Sequence, residues 1–343
     1  MAVVFHQYAV FSVTQYQAVE NSPDMVRLRR FEEKIKTMEA SNISQESLPE
    51  KTRKWYARDK ELLTNFYNSQ TTFLFQAVEM YSRCLQCSDE FDDSALISLC
   101  SLWFAKFDDD HMRDKTSPLF KLFKHALNRI QSRKFVPLAR QLCARLSDRD
   151  GPSQPLLITL LRKLCSDHPF HSVYQVWAMH EPKRGPENRR KSSRHAQLPQ
   201  LATARGKAAL DILKWCSEQS ADGRGKRIQD LEFMCRAFLD WAEYATRKDP
   251  NIDVKRRNFE YEVPSHLSIR KIRDFAVPVT TAYTPIDPSL KYDDIVSIRK
   301  YSDKFFFVGG NNIPKVHDCF GSDGKSYRQL VSYRILSLLS VSN

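Results

Sequence analysis

The chain has 343 residues, 42% hydrophobic and 27% charged, enough for about two domains with buried cores and too apolar for a disordered chain. Its nine glycines argue against collagen-like, low-complexity and turn-rich all-β chains, and no stretch approaches about 18 uncharged apolar residues, so nothing is expected to span a membrane. The net charge of +12 permits contact with nucleic acid or acidic surfaces without requiring it.

The N-terminus, MAVVFHQYAV, lacks the basic start of a secretory signal. Only three of the 16 prolines lie within residues 1–120, so this part can hold long helices. Residues 52–87 read as one long helix. Asp92 or Asp93 is placed to cap the next, where Leu96, Leu99, Cys100, Trp103 and Phe107 follow helical spacing. Pro137, Pro155 and Pro169 each mark the first turn of a further helix, because proline's missing N–H has no intrahelical partner there. Residues 147–154 form the loop between the first two. Amphipathic helices follow near 202–219 and 228–247, the second with Ile228, Leu231, Cys235 and Phe238 on one face. Successive helices of this kind suggest an α-solenoid of helix pairs, with degenerate repeats because no clean period is visible.

After residue 250 the texture changes. Prolines stand at 264, 278, 285, 288 and 314, and β-rich runs occupy 275–284, 304–310, 314–320 and 326–331. Asp323-Gly324 signals a two-residue hairpin, since both residues tolerate positive φ. The run reads as the opening sheet of a small α+β domain that the chain does not close.

Four constellations could carry chemistry. Residues 181–207 hold eight Lys/Arg against two Glu, a net of +6 and half the total; a run of like charge reads as a solvated loop. Cys84-x-x-Cys87 has no second pair and no His at ligand spacing, and a structural zinc needs four ligands. Most of the eight cysteines sit in apolar helical patterns and read as reduced, buried thiols. Asp167, His168 and His171 could form a metal or acid–base cluster, though a packing role for this helix start is the stronger reading. In FVGGNNIPK (307–315) two glycines and two asparagines let backbone N–H groups face outward, as phosphate-cradling loops require; alone, the pattern reads as a turn. No Gly-x-Ser-x-Gly, His-Glu-x-x-His or Walker sequence occurs.

The segment KFFFVGGNNIPKVHDCFGSDGKSYRQLV (304–331) resembles the first kinase strands of the phosphatidylinositol-3-kinase-related protein kinases, most closely the ataxia-telangiectasia-mutated (ATM) and fungal Tel branch. The helical segments at 16–28, 73–85, 97–104, 134–146 and 166–178 resemble the FAT repeats of the same branch, in the same order. The first dozen residues and the tail 334–343 depart from the family. The resemblance implies a mainly α fold, an α-solenoid of FAT/TPR-like helix pairs followed by an incomplete α+β kinase N-lobe. The implied divisions are FAT-type repeats at 1–180, a basic loop and helical linker at 181–264, partial N-lobe strands with the phosphate loop at 265–331, and a non-family tail at 332–343.

In such a kinase Phe307, Val308, Gly309, Gly310, Asn311, Asn312 and Ile313 would form the loop over the ATP phosphates, with Mg²⁺ as companion ion. The ATP-pairing lysine would directly follow the RQLV run, and Ser332 stands there instead. The Gly-Asp-Arg-His-x-x-Asn catalytic loop and the metal-binding Asp-Phe-Gly are absent from these 343 residues. Asp318-Cys319-Phe320-Gly321 does not replace the latter, having an inserted residue on an N-lobe strand. Phosphoryl transfer needs Mg²⁺, ATP and the hydroxyl placed together, so the chain is expected to be catalytically incomplete and to bind neither ATP nor Mg²⁺ productively. Lys325, at the hairpin turn, reads as a solvated lysine.

The resemblance further implies a nuclear DNA-damage and telomere kinase acting on Ser/Thr-Gln sites of protein substrates, with homodimerisation through the FAT helices open to it. It gives no ground for a membrane role or for direct nucleic-acid binding. Two rival classes remain: a non-catalytic helical scaffold that binds a protein partner, and a basic nucleic-acid binder through residues 183–207. The second lacks interleaved aromatics for base stacking.

Overall fold

The computed structural model describes residues 1–40, 49–147, 151–180, 197–219, 223–244, 249–256, 259–308 and 314–331. These fall into two compact units, residues 1–134 with 151–153, and residues 135–150 with 154–343.

The first unit is helical. It contains α1 (Ala2–Glu20), α2 (Pro23–Ala40), α3 (Glu50–Cys87), α4 (Asp92–Ala105) and α5 (Pro118–Arg129). Helix α3 is the common partner: α1, α2, α4 and α5 all pack on it. Its buried residues Leu74, Ala77, Val78, Tyr81, Cys84 and Leu85 recur at three- and four-residue spacing, which lines one face of a helix. Met25 and Leu28 of α2 meet Leu63 in a small cluster flanked by Phe66 and Tyr67. In α4, Leu96, Leu99, Cys100 and Trp103 are buried, and so is Phe107 just beyond it. Local chemistry starts the helices. The Ser22 hydroxyl accepts from the Met25 N–H at 3.1 Å ahead of Pro23, and the Ser117 hydroxyl accepts from the Leu119 N–H at 3.2 Å ahead of Pro118.

The second unit joins helices to a sheet. Helices α6 (Ala139–Ala144), α7 (Gln154–Asp167), α8 (Pro169–His180), α9 (Gln197–Ser217) and α10 (Arg224–Glu243) precede β1 (Tyr261–Glu262), β2 (Arg273–Pro278), β3 (Ser297–Phe307), β4 (Lys315–Gly321) and β5 (Ser326–Val331). Helix α8 packs on α7, α9 and α10, and α10 also meets β2. The sheet is antiparallel throughout. Strand β3 pairs with β1 through its C-terminal half, with β2 through its N-terminal half, and with β4, which pairs with β5. Tyr301, Phe305 and Phe307 are buried, and α10 lays Phe238 on Tyr301 and Trp241 on Phe305, with ring centroids 5.6 and 4.8 Å apart. Among the described residues no helix is long and apolar enough to cross a membrane.

Several local expectations need correction. Neither Asp92 nor Asp93 caps α4. Both lie in its first turn, Phe91 holds the N-cap position, and the Asp92 carboxylate instead accepts from the buried Lys134 ammonium at 2.6 Å. Pro137 lies in a 3-10 turn ahead of α6 rather than in the helix itself. Helix α9 begins at Gln197 and α10 ends at Glu243, and β2 stops at Pro278, short of the run ending at 284. At the β4–β5 turn only Gly324 takes positive φ, at 78°. The turn is closed by Gly321 N–H donating to the Lys325 carbonyl at 2.9 Å, so the loop is longer than the two residues that Asp-Gly suggests.

Candidate functional site

The candidate site is the β3–β4 hairpin. Its register puts Phe307 opposite Lys315, and Lys315 opposite Val331 of β5. Three strands therefore end in one row at the mouth of the loop, where Val308 N–H donates to the Pro314 carbonyl at 3.3 Å. Phe307 is buried against Phe305 and Tyr261 at 5.4 and 5.7 Å between ring centroids, and Val308 is half-buried. Gly309, Gly310, Asn311, Asn312 and Ile313 lie outside the described residues, as does Ser332. Two of the seven expected loop residues are thus placed, both at the first root of the hairpin.

Lys315 stands at the second root, and sequence reasoning missed it. Its side chain is buried, only 5% of the residue being exposed. Its ammonium donates to the carbonyl of Trp241, and to those of Ala242 and Tyr244 at 3.3 Å each. It also lies 4.5 Å from the centre of the Trp241 ring and 5.8 Å from that of Tyr244. The last carbonyls of a helix have no intrahelical donors, and the helix dipole makes that end partly negative. Lys315 meets both needs of α10 and adds cation–π attraction. Burial pushes its ammonium down to about 8. The only signal in the sequence is a helix ending in Trp-Ala-Glu-Tyr without a glycine to close it.

His317, two residues on, shares this interior. Its Nε2 faces the Ser302 carbonyl at 2.6 Å; a carbonyl only accepts, so Nε2 carries the proton. Burial lowers the imidazole below its ordinary range, despite the opposing pull of that carbonyl and of Asp318 and Asp303. Asp318 itself is engaged by Arg328 at 3.1 Å. The Lys325 side chain is 77% exposed and lies 3.6 Å from Asp323.

Among the described residues no group of three or more His, Cys, Asp or Glu side chains is gathered. Toward ATP they offer the backbone frame of a loop but no free cation at its described roots, because Lys315 is committed to α10.

The cluster at Asp167, His168 and His171 resolves into packing. His168 is fully buried, and its Nδ1 lies 2.7 Å from the Tyr292 hydroxyl. The His171 Nε2 lies 3.0 Å from the Thr284 carbonyl. Tyr292 takes φ 57° and is held by Asp287, whose carboxylate accepts its N–H at 2.9 Å. Further hydrogen bonds from Ser289 help bring that carboxyl down to about 2. Burial raises the Tyr292 hydroxyl to about 12. Cys84 is buried and Cys87 exposed.

With the geometry described, the chain can be set beside known proteins. A scan against protein-family models finds no match. The chain is 30% identical over 286 residues to the serine/threonine-protein kinase ATM of Arabidopsis thaliana, covering 81% of the chain and 7% of that protein. It is 28% identical over 353 residues to the serine-protein kinase ATM of Sus scrofa, and 25% identical over 341 residues to the serine/threonine-protein kinase tel1 of Neurospora crassa. Each match covers 96% of the chain and 11% of the relative. The chain therefore spans between 7% and 11% of the length of these relatives. Among solved structures, the FAT and kinase domain of CtTel1 superposes with a TM-score of 0.69 at 24% identity, covering 96% of the chain and 21% of that structure. The open conformation of CtTel1 gives 0.70 at 24% identity, covering 96% and 12%. The mainly α architecture, FAT-type helix pairs leading into strands of a kinase N-lobe, is borne out by these folds. The chain is a homologue of the ATM/Tel1 serine/threonine-protein kinases, corresponding to a short stretch of them and sharing the fold of Tel1 FAT and kinase structures.

Proposed function

We propose that this chain supplies the C-terminal FAT helices and the opening N-lobe strands of an ATM/Tel1-type protein kinase, and that these residues alone do not transfer phosphate. On this reading residues 1–180 are FAT repeats, 181–264 the linker, 265–331 the N-lobe strands and 332–343 a divergent tail. Phe307, Val308, Gly309, Gly310, Asn311, Asn312 and Ile313 are the loop for the ATP phosphates. The kinase would pass the γ-phosphate of Mg·ATP to Ser/Thr-Gln sites in the nucleus, in the DNA-damage response and telomere maintenance. Homodimerisation would run through the FAT helices, as the Tel1 dimer among the structural relatives encourages.

One observation carries the reading. The row Phe307, Lys315 and Val331 ends three strands at one level, at the described roots of the loop. In the kinases the chain resembles, the ATP-pairing lysine directly follows this strand in sequence, and the residue here is Ser332. Without that lysine, a base for the hydroxyl and carboxylates for the metal, positioning and charge stabilisation both fail.

The purified chain incubated with Mg·ATP and a Ser-Gln peptide is expected to give no transfer, and robust phosphorylation would refute the reading. A chimera in which the kinase portion of the Neurospora crassa relative follows Val331 is expected to gain transfer. It should lose that transfer on Gly310→Asp, which sets a carboxylate in the loop. A chimera indifferent to Gly310→Asp would remove the loop from the phosphates.

A further inference from the structure

The β3–β4 hairpin and the end of α10 meet through one side chain. Lys315 is the first residue of β4 and pairs across to both Phe307 and Val331. Its ammonium leaves the sheet and ends among the carbonyls of Trp241, Ala242 and Tyr244. No carboxylate accompanies it among the hydrogen bonds and ion pairs of the described residues. A surface lysine would hold its charge in water and could be exchanged for another residue with little consequence. A buried ammonium cannot do so, because leaving its acceptors would strand a charge in an apolar interior. The Trp241 ring adds a wall, packing on Phe305 at 4.8 Å and lying 5.6 Å from His317, centroid to centroid. The rings, the strand and the helix end therefore move together or break together.

We infer that Lys315 is a positioning residue, a cap that locks the C-terminal turn of α10 to the root of the β3–β4 hairpin and makes the helix end and the strand ends one mechanical unit. The lysine that follows Gly-Gly-Asn-Asn-Ile-Pro is then not a ligand for phosphate, although its place in sequence invites that role. A displacement of the α10 end would be passed to Phe307, Val308 and Val316 without any change in the outer β4–β5 turn. The lock stands on the contacts themselves. Its bearing on nucleotide rests on the phosphate-loop reading above, which the Gly310→Asp chimera tests separately.

Amide hydrogen exchange on the whole chain decides it, comparing wild type with Lys315→Met, which keeps the stem and loses the charge. Exchange is expected to rise about tenfold or more at two places together, Trp241 to Tyr244 and Phe307, Val308 and Val316. Ser326 to Arg328 and the helix α3 amides should be unchanged. A rise at only one of the two places, or an equal rise throughout the second unit, would overturn the lock. Tyr244→Ala gives a second reading should Lys315→Met not fold. It removes the more distant ring and keeps the carbonyls, so the same two places should respond together by a smaller factor. A response confined to the helix end would overturn the coupling. Lys315→Arg keeps a charged donor and is expected to restore at least half of the lost protection at both places. Exchange as fast as in Lys315→Met would show that stem shape, and not capping, is what matters.

Discussion

His168 and Tyr292, 124 residues apart, share a hydrogen bond of 2.7 Å between imidazole Nδ1 and phenol oxygen. The bond joins His168, just ahead of α8, to the loop before β3. Phe170 closes the same pocket, its ring centroid 5.2 Å from that of Tyr292. Tyr292→Phe keeps the ring and removes the hydroxyl, so it should cost about 1–2 kcal/mol, the penalty for leaving a buried polar group short of a partner. Urea denaturation should show the loss as a lower midpoint with an unchanged slope. A neutral variant would mean that the bond contributes nothing net.

Trp103 anchors the first unit. It is fully buried, and its indole N–H has no hydrogen-bond partner among the described residues. Trp103→Phe removes that unmet donor along with some volume, and should cost under about 2 kcal/mol. Trp103→Ala opens a large cavity and should cost about 3–5 kcal/mol. The ordering, read by thermal or denaturant unfolding, tests whether packing rather than polarity fixes this residue.

Gly225 stands in the first turn of α10, where alanine would ordinarily favour helix. An added Cβ would meet the Ser217 carbonyl oxygen at 2.5 Å and that of Gln219 at 2.6 Å, both backbone atoms that cannot swing aside. Gly225→Ala should therefore destabilise by about 1–3 kcal/mol, opposite in sign to its propensity. A more stable variant would show that the α9–α10 connection gives way at little cost.

Lys315 also sets an alkaline signature. Its pKa falls to about 8 in the fold, through burial, against about 10.4 in the unfolded chain. Between these values the unfolded state binds more protons, so stability contributed through this group rises with pH. Its titratable neighbours stay silent in that window: His317 is already neutral through burial, and Tyr244 titrates near 12 through burial and its bond to Asp249. The difference in unfolding free energy between wild type and Lys315→Met should therefore shift in favour of wild type from about pH 8 to 10 and flatten below 8. A pH-independent difference would mean that the ammonium titrates normally.

Long periodic elements are legible in the amino-acid pattern. The 52–87 run became α3, Glu50–Cys87, because from Leu63 to Leu85 its apolar residues repeat at one helical face. The β5 run at 326–331 was placed to the residue, helped by the turn ahead of it. Elements defined by a single distant partner are not legible. β1 is two residues, Tyr261 and Glu262, whose pairing with Phe305 and Lys304 no local pattern announces. Lys134 and Lys315 look alike in sequence; Lys134 meets the Asp89 and Asp92 carboxylates and the Ser88 carbonyl, Lys315 the end of α10, and neither role can be inferred without knowing which acceptors arrive. At the candidate site the motif announced the strands, while the destination of the lysine after it depended on α10, more than 70 residues earlier.

Helix α3 is about 57 Å long at 1.5 Å per residue for its 38 residues, and its two ends live in different media. From Glu50 to Glu61 nearly every side chain is open to water, Trp55 included at 62% exposure, while from Leu74 onward the rod is walled in by neighbours. One continuous hydrogen-bond ladder therefore carries a built-in gradient. Its early rungs open by fraying alone, and its late rungs open only when the surrounding bundle comes apart. A single element thus serves as a gauge, on which proton exchange read rung by rung separates local breathing from loss of the whole unit.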